Sequence, residues 1–210
     1  MIRFKKERIK VEMLKKIIVP ACLVLFCAFP SVAAAAGQNY IVAKLGAYSP
    51  QSNDLSGYSS DFAGELAAGH YFNSNFAAEF GVGHLQTSGT VLVSNRNIFF
   101  AQEDIDATFL EATAKVVFPV PYYYSPTYYS PAYMDFYAGA GVGVYFANDN
   151  VDAIGFSRSD TVGGFHILGG VDFNINRDFF LGFEAKYLWA KPFDTNLDGL
   201  IFTGNFGYRF

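Results

Sequence analysis

Cysteine is nearly missing from this chain. Cys22 and Cys27 are the whole supply in 210 residues, so a mature form trimmed beyond them can hold no disulfide. Charge is scarce too, at 16% of residues, and no stretch reaches 18 consecutive apolar residues, which excludes a membrane-spanning helix. The three histidines, His70, His84 and His166, are too widely separated to make a close-spaced metal motif. No stretch keeps a 3.6-residue apolar period, so helices are not expected. What is abundant is Phe, Tyr and Gly, with 23, 14 and 20 residues. These suit strands and turns better than helices.

The first 36 residues read as an export signal. Arg3, Lys5, Lys6, Arg8, Lys10, Lys15 and Lys16 make a basic region, an apolar run covers 17–29, and Ser31 to Ala36 supplies small residues for cleavage. Met13 would open a more usual basic region and is the alternative start. Acylation at Cys22 or Cys27 is a competing reading, opposed by the bulky Phe26 before Cys27. Cleavage is expected near Ala36-Gly37, leaving one domain over 37–210. That domain carries 8 Lys and Arg against 17 Asp and Glu. Such an acidic balance argues against nucleic acid as a partner.

The pattern is plainest at the carboxy terminus. Leu200, Phe202, Gly204, Phe206, Tyr208 and Phe210 alternate with Ile201, Thr203, Asn205, Gly207 and Arg209. Successive side chains of a strand point to opposite faces, so one face is aromatic and the other small, polar and finally cationic. Seven more alternating stretches precede it, at 39–48, 62–72, 76–86, 105–118, 133–146, 162–175 and 179–190. About 9–11 residues suffice for a tilted strand to cross a bilayer. Asn73-Ser-Asn75 and Asn176-Arg-Asp178 are tight-turn sequences, whereas 49–61, 87–104, 147–161 and 191–199 read as long polar loops. Short turns at one end and long loops at the other mark a transmembrane barrel with its loops outside the cell. The expected fold is all-β: an eight-stranded antiparallel up-and-down transmembrane barrel preceded by a signal peptide.

Charge decides which face is which. Lys44, Glu65, Glu79, Glu111, Lys115, Asp135, His166, Asp172, Glu184, Lys186 and Arg209 all fall on the less apolar faces of their strands. A Lys or Arg facing lipid at mid-membrane would cost about 2–4 kcal/mol. A secreted lipocalin-like barrel would invert the faces. Its exterior would then need roughly a quarter to a third charged residues, and these faces hold one or two each. The eleven are expected to fill the bore as a buried ion-paired network. Inward Gly81, Gly83, Gly139, Gly141 and Gly143 would make room for Phe109, Phe180 or inward tyrosines. Aromatic belts are expected at both membrane interfaces. One level holds Tyr40, Phe72, Phe76, Phe118, Phe173 and Tyr208, and the other Tyr48, Phe62, Phe146, Phe165, Trp189 and Phe202.

Two motifs carry a family resemblance. The closing Tyr208-Arg-Phe210 resembles the terminal signal that the barrel-assembly machinery reads, with Tyr208 and Phe210 as its aromatic positions. The run Phe136-Tyr-Ala-Gly-Ala-Gly-Val-Gly-Val-Tyr145 is similar to the glycine-alternating central strand of the small eight-stranded outer-membrane barrels, the OmpA/OmpX-like or porin-like group. The resemblance extends over the whole of 37–210. It implies a place in the outer membrane of a Gram-negative bacterium, contact with its lipid and lipopolysaccharide, and passage through the assembly machinery. OmpA proper continues into a peptidoglycan-binding domain, and this sequence stops at Phe210, so no wall-anchoring role of that kind is expected.

No catalytic constellation emerges. His166 and Asp172 share a face, but six residues of strand hold them about 20 Å apart, beyond hydrogen-bond reach. Gly139-Ala-Gly-Val-Gly143 lacks the spacing of a nucleotide loop. No catalytic residue, cofactor or metal site is expected. The segment 119–133 combines four prolines with six tyrosines. Prolines forbid ladder pairing, and tyrosines suit the headgroup layer. Tyr122, Tyr123, Tyr124, Tyr128 and Tyr129 are expected as an interface strip or a periplasmic docking strip. The outer loops hold Asp54, Asp61, Glu103, Asp104, Asp149, Asp152, Asp160, Asp194 and Asp198 against Arg96, Arg158 and Lys191. They are expected to be solvated, the alternative being divalent-cation bridges to lipopolysaccharide phosphates. The functional expectation is a monomeric, non-enzymatic barrel serving envelope integrity or surface interaction. A narrow channel of the OmpW kind is the alternative, and a lipid A-modifying enzyme is a third possibility.

Overall fold

The computed structural model describes residues 38–95, 97–120, 134–151 and 155–210. The expected signal segment 1–36, Arg96, Asp152 and the strip Tyr122, Tyr123, Tyr124, Tyr128 and Tyr129 lie outside the described residues.

Eight strands follow one another: β1 (Gln38–Pro50), β2 (Ser59–Asn73), β3 (Phe76–Asn95), β4 (Asn97–Val120), β5 (Met134–Val151), β6 (Phe156–Asn174), β7 (Phe179–Ala190) and β8 (Gly199–Arg209). Each pairs antiparallel with its neighbours in sequence, and β8 closes on β1. The closure is tied at the rim by mutual bonds between Asn39 and Phe210, at 3.1 and 2.9 Å. A closed ring leaves no unpaired backbone edge in the hydrocarbon, the condition a spanning sheet has to meet.

Both tight turns use the same device. The Asn73 side-chain oxygen accepts from the N–H groups of Asn75 and Phe76, at 2.8 and 2.9 Å. Asn176 does the same for Asp178 and Phe179, both at 2.8 Å. An asparagine carbonyl thus takes the place of a backbone acceptor and turns the chain in two or three residues.

The faces separate as their charges require. Leu45, Val142 and Phe183 are 64–66% exposed at mid-strand on the outer surface, while Lys44 and Glu184, on the opposite face, are 1% and 3% exposed. Rings gather at both rims. Phe165 stacks on Trp189 with centroids 4.6 Å apart, and Tyr187 lies 4.4 Å from the same indole. At the other rim Phe179 meets Tyr208 and Phe206.

Two expectations need correction. Tyr40 and Tyr48 do not join the belts: they share parity with Lys44 and are buried in the bore. Aromatic character alone does not choose a face, but strand parity does. Much of 87–104 and 147–161 is strand rather than loop. The β3–β4 ladder runs on to Asn95 and Asn97, and β5–β6 to Val151 and Phe156. Outside the lipid a strand can be polar on both faces, so polarity there does not signal a break in pairing.

Candidate functional site

All eleven predicted interior residues face the bore, and the charged side chains at mid-barrel are almost wholly buried, Lys44 at 1% and Glu111 and Lys186 at 2% exposed. Three lysines and four glutamates form one connected network. Lys44 Nζ donates to Glu79 at 2.6 Å, Glu184 at 3.0 Å and Glu65 at 3.2 Å. Lys115 donates to Glu79 at 2.6 Å and lies 3.5 Å from Glu184. Lys186 donates to Glu65 at 2.6 Å and Glu111 at 2.5 Å. Each ammonium has carboxylates on two or more sides, the arrangement a desolvated charge needs.

Hydroxyls and an amide complete the network. Tyr40 donates to Glu79 at 2.9 Å, Tyr137 to Glu184 at 3.1 Å and Tyr145 to Glu111 at 2.5 Å. Asn205 donates to the Tyr137 hydroxyl at 3.1 Å. These are the functional side chains that sequence reasoning underweights, because Tyr and Asn carry no charge to mark them. The signal was present as parity: Tyr40 and Asn205 share a face with Lys44 and Arg209 in their strands.

Of the remaining predicted residues, His166 adjoins the network, and Arg209 and Asp135 meet at the periplasmic rim. His166 bonds Thr113 at 2.8 Å, and its Nδ1 stands 3.6 Å from Glu111. Arg209 pairs with Asp135 at 3.1 Å and with Asn174, which itself donates to Asp135 at 3.0 Å. The Arg209 guanidinium also lies over the Phe180 ring at 4.5 Å. Asp172 joins neither group: its Oδ1 is buried with no hydrogen-bond partner among the described residues. Between it and the network is a cavity of about 10 Å³ bounded by Lys115, Val117, Tyr137 and Asn205, the size of roughly one water molecule.

Glycine makes the crowding possible. Gly141 stands against the His166 ring, Gly83 and Gly207 against the Phe109 and Phe180 rings, and Gly81 against the Glu65 carboxylate. Inward Gly139 and Gly143 likewise leave space beside Lys115 and Glu111. The expectation that these glycines clear large inward rings holds for Gly83 beside Phe109 and Gly143 beside Tyr145; Gly81, Gly139 and Gly141 clear Glu65, Leu168 and His166 instead, and Phe180 is accommodated by Gly207.

Toward the outer end the chemistry changes. Tyr48, Leu55, Leu85, Ile105, Phe109, Leu188, Leu197 and Ile201 form an apolar layer immediately above the charges. The β7–β8 connection lies over it, held by Tyr48 donating to the Leu197 carbonyl at 2.9 Å and Ser52 to the Asn196 carbonyl at 2.6 Å. His70 and His84 stand apart from all this, bonded to Asn39 at 2.8 Å and Thr108 at 3.2 Å. Among the described residues no group of three or more His, Cys, Asp and Glu could hold a metal ion.

An all-next-neighbour ring of eight strands, oily outside and charged within, defines a small transmembrane β-barrel. The chain belongs to the outer membrane protein beta-barrel domain family, whose profile matches residues 19–210. It is an outer-membrane protein. Its fold is similar to the N-terminal beta-barrel domain of Pseudomonas aeruginosa OprF, at 11% identity and a TM-score of 0.51, covering 83% of this chain and 100% of that one. Neisserial surface protein A is 19% identical, with 82% of this chain and 95% of that one covered and a TM-score of 0.49. Ail, the attachment invasion locus protein of Yersinia pestis, is 20% identical, covering 83% and 99% with a TM-score of 0.45. Comparison with curated proteins finds no match.

Proposed function

We propose that this barrel is a closed, non-conducting element of the bacterial outer membrane, acting in envelope integrity and through its extracellular surface rather than by transport or catalysis. The observation that supports this reading is the double closure of the bore. A layer of seven interlocked charges spans the middle, and an apolar layer lies directly above it. An ion would have to separate paired charges in one layer and shed its water in the next, and each step is costly. The partners of such a protein are the lipid and lipopolysaccharide around its outer face and, during biogenesis, the assembly machinery that takes up Tyr208 and Phe210. No cofactor is required.

Planar-bilayer recording of the refolded protein tests this. The expected result is a quiet membrane, with no reproducible unit conductance over a wide voltage range. Steady, resolvable single-channel steps would favour the narrow channel instead.

A further inference from the structure

Above the apolar layer, four elements converge on a pair of carboxyl groups. Asp149 on β5 pairs with Ile105 of β4, two residues from Glu103 and on the same face, so the two carboxyl groups are diagonal neighbours, about 10 and 16 Å along their strands beyond the outer aromatic belt at Phe146 and Thr108. Asp149 is fully buried. Its Oδ2 accepts from Arg158 Nε of β6 at 2.6 Å, and its Oδ1 receives no donor among the described residues. The Glu103 carboxylate accepts from the Tyr58 hydroxyl of the β1–β2 connection. Gly89 of β3 leaves the room in which the Tyr58 ring packs. The Arg158 guanidinium extends over the Phe193 ring at 4.4 Å, and Asp160 accepts from the Phe193 N–H at 2.8 Å. Phe193 belongs to the β7–β8 connection and holds a left-handed φ of 54°, so that connection stays in place only because its neighbours hold it.

Two carboxylates side by side cannot both be ionised cheaply, and neither can donate to the other without a proton. One guanidinium neutralises only one of them. We propose that a single proton on Glu103, facing the buried Asp149 carboxylate, is the latch of this extracellular lid, holding the β1–β2 and β7–β8 connections closed in acid and loosening them as pH rises. The charged and titratable groups that face the pair from the packed elements are Tyr58 of the β1–β2 connection and Arg158 of β6. Burial, with the neighbouring Asp149 carboxyl, holds Glu103 above the ordinary carboxylate range, while the bond from Tyr58 acts in the opposite sense. A carboxyl raised in the closed state favours closure fully below its ordinary value and loses that contribution as pH climbs through the raised one. Each unit of raising corresponds to about a tenfold change in the closed-to-open ratio. Loosening the lid uncovers Leu55 and Leu197 but leaves the charged layer intact, so the response belongs to the outer surface and not to conduction.

Hydrogen–deuterium exchange on the folded barrel in detergent micelles tests this, corrected for the intrinsic pH dependence of exchange. The amides to follow are Leu55, Tyr58, Phe193 and Leu197, all hydrogen-bonded in the closed lid. Wild-type protection is expected to be about tenfold greater near pH 5 than near pH 8. Glu103→Gln supplies a permanent donor to Asp149, so it should show the acid level of protection at both pH values. Tyr58→Phe should lower protection at both. Equal wild-type protection across the pH range, or a Glu103→Gln variant that keeps the full pH dependence, would overturn the proposal. So would recovery of protection near pH 8 on adding calcium, since a cation would then be the bridge rather than a proton.

Discussion

The bore is closed twice, by opposite chemistry. The middle layer is seven charged side chains held by ion pairs as short as 2.5 Å. The layer above is Tyr48, Leu85, Phe109, Leu188 and Leu197, apolar except for a hydroxyl. Either layer excludes ions, yet they differ in what they ask of the sequence. Apolar packing tolerates exchange among residues of similar volume. The charged layer tolerates almost none, because removing one partner strands the others without solvent. The charged layer also fixes register: a slip of one residue in β1, β4 or β7 would turn Lys44, Lys115 or Lys186 into lipid, at about 2–4 kcal/mol each.

The largest expected effect comes from breaking the charged layer at its hub. Lys44→Met leaves Glu65, Glu79 and Glu184 short of a cation and should destabilise the barrel by about 3–5 kcal/mol, measured by urea unfolding in detergent. Leu85→Ala in the apolar layer should cost about 2–5 kcal/mol through lost burial and a cavity. The contrast sharpens in combination. Adding Glu184→Gln should recover part of the Lys44→Met loss, since one fewer carboxylate is stranded, and should recover none of the Leu85→Ala loss.

Two smaller effects compare inside with outside. Phe183→Lys places a cation on the lipid face one turn of alternation from buried Glu184, and should cost about 2–4 kcal/mol. Inside, Gly83→Val must displace the Phe109 ring that occupies its space, for about 1–3 kcal/mol. Both are read by heat-modified gel mobility and unfolding midpoints. Asn73→Ala removes two turn bonds at the wet periplasmic rim, where water replaces them, and should be smallest, about 0.5–1.5 kcal/mol in all.

Parity made most of this readable in advance. Lys44, Glu111, Lys186 and Arg209 could be assigned inward because each sits opposite a run of apolar neighbours in a strand the bilayer constrains. Tyr40 and Tyr48 are placed by position and not by their aromatic rings: both share parity with Lys44 and turn inward. The ladders above the membrane were illegible for a physical reason. Once lipid no longer contacts a strand, nothing forces its two faces apart in polarity, and Glu103, Asp104, Asn148 and Asp149 look like loop. Which carboxylate each lysine meets depends on strand stagger around the ring. Lys44 and Glu184 are 140 residues apart, and no local pattern in either segment reports the other.

Orientation underlies every part of this account, and the protein carries its own probe for it. Trp189 is the single tryptophan of the chain, stacked on Phe165 at the outer rim and pointing away from Leu188 and the bore. In vesicles, its fluorescence should be quenched strongly by lipids brominated near the headgroup and weakly by acrylamide in the water. Strong acrylamide quenching with no response to brominated lipid would place the oily face inside and contradict the account.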